Sequence, residues 1–144
     1  MSASNSFETG ILLLIYNNTN FANIGDAVGL RGSTAAGSFY VSLHTADPGE
    51  AGTAVTNESA YTNYARVAVA RSSAGFTIAG NTVSNAAAVT FPACGVTGST
   101  ITHFGVVETA SGAGALQFSG TCSLTVSSGV TPSFAIGALT NVAD

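Results

Sequence analysis

Hydrophobic positions follow two different rhythms along this chain. In "SFETGILLLIYN", residues 6–17, Phe7, Ile11, Leu14 and Ile15 recur at helical spacing. Ser6 is placed to cap the first free amides, Glu8 falls in the first turn where the helix dipole favours an anion, and Asn17 and Asn18 are suited to stop the helix. Leu12 and Leu13 widen the apolar stripe beyond what a surface helix needs, so the helix is expected to be buried by its own domain or to pack in part on another subunit.

Residues 21–38 are rich in Gly, Asn and Ser, have little periodicity and read as a long loop. From residue 39 to residue 144 the rhythm changes to short runs of strand type: "FYVSLHTA", "YARVAVARS", "FTIAGNTVSN", "AAVTFPA", "ITHFGVVETA", "ALQFSGTCSLTV" and "PSFAIGALTNV". Gly, Pro and Asn separate them, which is the pattern of an antiparallel sandwich or barrel. In "FTIAGNTVSN" the alternation of Phe76, Thr77 and Ile78 around Gly80-Asn81 predicts a hairpin, and "TASGAGA", residues 109–115, predicts a flexible tip between two strands. Pro92 suits a strand end, since it cannot donate to a ladder. The expected fold is mainly β, a single antiparallel β-sandwich of jelly-roll or immunoglobulin-like order with one short N-terminal α-helix, and 144 residues fit one domain.

Composition narrows the function classes. Only 7% of residues are charged, lysine is absent, and the net charge is −4. Arg31, Arg66 and Arg71 form no basic run, which argues against nucleic-acid binding and against an anionic membrane surface. "ILLLIY" is too short to cross a bilayer, which takes roughly 20 apolar residues, and has no basic start or cleavage site. The chain is therefore expected to be made in a cytoplasm. Cys94 and Cys122 fit either a disulfide or two buried thiols. The sequon matches at Asn17 and Asn57 are what an Asn- and Ser-rich chain produces by chance.

The stretch with most chemistry is "YVSLHTADPGEAGT". Alternation puts Val41, Leu43 and Thr45 on one face and Ser42, His44 and Ala46 on the other, so His44 is expected on the more polar face near a strand end. Asp47, Pro48 and Gly49 then build a turn: the carboxylate bonds the backbone two residues on, proline presets φ, and glycine accepts positive φ. The rival reading pairs His44 with His103 as metal ligands or as acid and base, aided by Asp47, Glu50 or Glu108, but nothing in the spacing brings these together. Calcium held by Asp26, Asp47, Glu50 and Glu58 has no loop motif behind it. No nucleophile elbow, zinc-protease helix or phosphate loop occurs. No catalytic residue, metal, cofactor or small-molecule substrate is expected.

What remains is surface. Few charges, many small polar residues and an over-wide apolar helix suit packing against large neighbours. The expected contacts are Phe7, Leu13, Tyr16 and Phe21 with the loop over 21–38. A carbohydrate-binding module is a lesser alternative, because the chain has no Trp and only four Tyr for stacking.

The helix followed by "YVSLHTADPGEAGT", "YARVAVA", "NTVSNAAAVTFPA", "ITHFGVVETASGAGALQFSGT" and "VSSGVTPSFAIGAL" resembles a family of small tailed-bacteriophage virion proteins often labelled tail fibre protein. The most specific elements are Leu43-His44-Thr45 with Asp47-Pro48-Gly49, Tyr64-Ala65-Arg66 and Thr102-His103-Phe104-Gly105. The chain departs from that pattern in lacking a Trp before the last motif and in its long loop over 21–38. The resemblance implies a non-enzymatic virion role with structural duties for these motif residues. It is also similar to head-decoration (cement) proteins, which implies the major capsid protein and copies of the same chain, as dimer or trimer, as partners. Missing heptads and Gly-x-y repeats favour decoration over a fibre shaft.

Overall fold

The computed structural model describes residues 2–143. It is mainly β with one helix: α1 (Asn5–Asn17), β1 (Ser38–His44), β2 (Val67–Ala70), β3 (Phe76–Ala79), β4 (Thr82–Asn85), β5 (Val89–Thr90), β6 (Ser99–Val107), β7 (Leu116–Val126), β8 (Ser133–Phe134) and β9 (Thr140–Val142). Two compact units are formed, one from Met1–Ser38, Ala70–Ala87 and Ala135–Asp144, the other from Phe39–Val69 and Ala88–Phe134.

In the first unit, α1 packs on the antiparallel sheet β3-β4-β9. The helix begins one residue earlier than the sequence reading and is capped by Ser4, whose hydroxyl accepts from the Phe7 amide, not by Ser6. Its buried positions are Glu8, Leu12 and Tyr16, not the expected stripe of Phe7, Ile11, Leu14 and Ile15. Residues 11–16 are apolar all round, so periodicity could not choose a face; packing chose it, with Tyr16 set edge-on to Phe76 at 4.9 Å between ring centroids. Asn18 ends the helix in the left-handed region at φ 55°. Arg71 then caps the C-terminus, donating to Ile15 O at 2.6 Å and Leu14 O at 3.0 Å, where the dipole favours a cation.

The hairpin over 76–85 forms as expected, with Gly80 at φ 63° in its turn. The run "PSFAIGALTNV" divides into β8 and β9. Asn85 causes the break: its buried side chain donates to Ala87 O and Ala135 O and accepts from Leu139 N, while Gly137 at φ 73° bends the chain between them.

In the second unit a four-stranded sheet runs β2-β1-β6-β7, and β5 and β8 pair as a ribbon. An aromatic row joins the two layers as a β-sandwich: Tyr61, Tyr64, Phe91, Phe134 and Phe104 follow one another at centroid separations of 5.3, 6.4, 6.2 and 6.1 Å. Val41, Leu43, Ile101, Val106 and Val107 complete the core from β1 and β6. Cys94 and Cys122 are free thiols.

Candidate functional site

The motif residues of the second unit converge on the pairing of β1 with β6, where Ser42 lies opposite Gly105, Leu43 opposite Phe104 and His44 opposite His103. The two histidines that sequence spacing left apart are therefore cross-strand neighbours, because antiparallel pairing joins segments distant in sequence. His44 is not on a polar, open face. It is fully buried, with the segment that bridges to it at Glu58 and bonds its ring through Thr56 O lying against it.

The His44 ring is held at both nitrogens. Nδ1 lies 2.8 Å from Thr56 O, and a carbonyl only accepts, so Nδ1 carries the proton. Nε2 is then an acceptor for the Ser42 hydroxyl at 2.8 Å. Burial lowers the His44 pKa, opposed in part by the Thr56 bond and by Glu58. A serine donating to a histidine copies the first half of a nucleophile-base pair, but both side chains are 0% exposed, so no substrate atom reaches the hydroxyl. A Cβ on Gly105 would stand 2.6 Å from Ser42 Oγ and 2.7 Å from His44 Nε2. Glycine there makes room for the polar pair.

The other glycine of this region works in the opposite sense. Phe104 lies opposite Gly120 of β7, and a Cβ on Gly120 would meet the Phe104 ring at 2.5 Å. The ring thus covers bare backbone and joins the aromatic row. His103 is half-buried and shares a 2.9 Å hydrogen bond between Nδ1 and Thr102 Oγ1.

A second polar cluster is centred on Arg66, whose side chain is 2% exposed. Its Nε and Nη2 donate to the two carboxylate oxygens of Glu58 at 2.6 and 2.7 Å, a fork that only guanidinium supplies. Nη1 donates to Thr109 O and Thr109 Oγ1, both at 2.9 Å, and Nη2 also donates to Gly112 O at 2.9 Å and Ala54 O at 3.3 Å. The Glu58 bonds hold the Arg66 pKa above its ordinary value. Tyr64 completes the set: its hydroxyl donates to Glu58 Oε1 at 3.0 Å and accepts from Leu43 N at 3.0 Å, and burial raises its pKa. The tip over 109–115, expected to be flexible, is tied at Thr109 and Gly112. Sequence reading missed Glu58 and Thr109 as partners of Arg66; the signal available was a lone arginine in an apolar run, which needs an acid somewhere in the fold.

Asp47 to Gly49 build the expected turn. Gly49 N donates to Asp47 Oδ1 at 2.8 Å, Gly49 has φ 70°, and Asn57 Nδ2 donates to Asp47 O at 2.9 Å. A cleft of about 470 Å³ is lined by Asp47, Gly49, Glu50 and residues 116–119, and a smaller one of about 240 Å³ by Glu58, Tyr64–Arg66 and residues 110–112. Neither His44 nor His103 lines either cleft. Among the described residues no group of three or more His, Cys, Asp or Glu is placed to hold a metal ion, and no helix is long and apolar enough to cross a membrane.

The expected contact residues part company. Tyr16 is 1% exposed and belongs to the core, so it offers nothing to a partner, whereas Phe7 is 48% exposed. Leu13 and Phe21 are half-buried, and Phe21 lies against the helix, with a Cβ on Gly10 standing 2.6 Å from its ring.

Comparison with curated proteins finds no match. The model of the family described as "Podophage GP4 fiber I protein gp80" matches residues 3–141, which span every motif described above and every element but the last residue of β9, and this chain belongs to that phage virion protein family.

Proposed function

We propose that the chain is a non-enzymatic structural subunit on the outside of a phage particle, and that it decorates the head by binding across neighbouring major capsid subunits. The observation that carries the non-catalytic reading is the inward use of its polar chemistry. Ser42, His44, Glu58, Tyr64 and Arg66 bond to one another or to backbone, and what they achieve is the locking of one sandwich unit. A rigid, sparsely charged domain suits repetitive packing, because little side-chain entropy or charge desolvation opposes each contact. Many copies then resist internal pressure together, with no single contact needing to be strong.

A second reading is favoured by the description of the family, which names a fibre: the chain is a subunit of a tail-associated fibre or of its base. Copy number separates the two. Quantitative mass spectrometry of purified particles, referred to the major capsid protein, gives a ratio near one or a large fixed fraction of one for decoration. A handful of copies per particle places the chain on the tail and removes the decoration reading.

A further inference from the structure

The four-stranded sheet of the second unit ends on one side in β7, which runs 11 residues, whereas β2 at the opposite edge has 4. One side of β7 pairs with β6, and no loop or side chain among the described residues bonds to the outer backbone groups of residues 119–126. Proteins commonly blunt such an edge with charge or proline, and residues 116–126 contain neither. The register with β6 shifts twice, but residues 118–121 stay in step with it between the two bulges. An unblunted edge of this length is a template for one more strand.

The chain itself begins to add that strand and then turns away. Ala115 O accepts from Glu108 N on the β6 side, and successive carbonyls alternate, so Gly114 O points outward, where Ala54 N donates to it at 3.0 Å and Thr53 bridges Ala115. The turn that closes with Gly52 N on Gly49 O takes the chain off the edge. Where it leaves, the cleft of about 470 Å³ opens, lined by Asp47, Gly49, Glu50 and residues 116–119. The cleft is acidic. Asp47 Oδ1 is used by Gly49 N, but no cation among the described residues pairs with Asp47 or Glu50, and Glu108 sits close by, bonded to Gln117 Nε2 at 2.7 Å.

We infer that the outer edge of β7 over 119–125 takes an extended segment of a different protein, paired backbone to backbone, with a Lys or Arg of that segment set in the cleft beside Asp47 and Glu50. Charge selects this occupant. A second copy of the chain has no lysine, and its three arginines are committed within the fold, Arg31 to Asp26, Arg66 to Glu58 and Arg71 to the carbonyls that end α1. The cation therefore comes from another chain. Backbone pairing supplies the affinity of such a contact, and the acid pair sets register and selects basic segments over acidic ones. The inference rests on the reading of the chain as a structural subunit and names how a neighbour holds it; copy number is measured on the whole particle, so either can fail without the other.

The probe is a fluorescein-labelled peptide of about eight residues, a common strand length, alternating Thr and Val with Lys at two positions and both ends capped. Anisotropy with the whole chain is expected to saturate below about 1 mM, the range of a short peptide that must be ordered on binding. Amide shifts in a ¹⁵N spectrum are expected to be confined to the cleft and residues 115–125. Two control peptides, one with Glu for Lys and one with two adjacent central prolines that remove a donor from each edge, are each expected to bind at least about fivefold more weakly. Asp47→Asn with Glu50→Gln is expected to weaken the Lys peptide by a similar factor; Asn keeps the oxygen that Gly49 N uses, so the turn survives. A Lys peptide that fails to bind at about 1 mM overturns the inference, whether the edge then stays bare or sedimentation shows a second copy on it. Equal binding of either control peptide, or of the Lys peptide to the folded double variant, overturns it too.

Discussion

Replacing Arg66 by Met removes the centre of the second unit's polar cluster while keeping most of the side-chain bulk. Six contacts are lost, two to the Glu58 carboxylate, two to Thr109, one to Gly112 O and one to Ala54 O. The Glu58 side chain, 16% exposed, is left with the Tyr64 hydroxyl alone among these partners. Breaking a buried pair by deleting one partner costs about 3–5 kcal/mol, because the surviving charge keeps its desolvation penalty without compensation. For a chain of this size that corresponds to a fall in Tm of about 10–17 °C. Urea unfolding followed by far-UV circular dichroism measures the loss, the far-UV signal being preferred because the chain has no Trp. Glu58→Gln in the Arg66→Met background removes the orphaned charge, so the double variant is expected to recover about 1–3 kcal/mol relative to additivity. Hydrogen exchange supplies the local readout: amides of residues 109–115 are expected to lose protection in Arg66→Met before the core of the sheet does. A stability loss below about 1 kcal/mol, with unchanged exchange over 109–115, would show that the cluster behaves as a surface ion pair and refute the reasoning.

Gly105→Ala is expected to cost about 1–3 kcal/mol by overpacking, since its methyl would crowd Ser42 Oγ and His44 Nε2; a thermal melt equal to wild type would mean that β1 and β6 separate without cost. His44 has a folded pKa below its ordinary value, so the unfolded chain takes up a proton first as pH falls. The stability associated with neutral His44 is complete above pH ~6.5 and is lost as pH falls from there toward the folded pKa; urea midpoints at pH 7 and pH 5 are expected to differ more in wild type than in His44→Gln, and equal differences would refute the assignment. Burial pushes the Cys122 thiol up to about 11, so its alkylation at pH 8 is expected on the order of 100-fold slower than for a free cysteine, and both thiols reach the free-cysteine rate only after unfolding. Rapid labelling of the native chain would contradict that environment.

Much of the fold was legible because local rules sufficed. The helix over 6–17, the hairpin at Gly80-Asn81, the Asp47-Pro48-Gly49 turn and the change from helical to alternating rhythm are each set by residues within a few positions of one another. The mainly β class and the sandwich follow from that rhythm, and the low charge that pointed to assembly is a property of composition alone. Family membership was likewise readable from motifs.

Tertiary structure decided whatever depends on partners far along the chain. Glu58 and Arg66 are eight positions apart and Arg66 and Thr109 forty-three, and no periodicity links them. Register alone brings Ser42 and His44 onto Gly105, and only chain packed against both faces of β1, such as the 56–58 segment on His44, can bury an alternating strand on both sides. The face of α1 was undetermined in the same sense: residues 11–16 are apolar in every direction, so local spacing left the choice to Phe76 and the sheet beneath it. Sequence therefore specified which residues are apolar and which turns are available, while the energy of burial, which depends on what each side chain meets across the fold, assigned the polar ones their work.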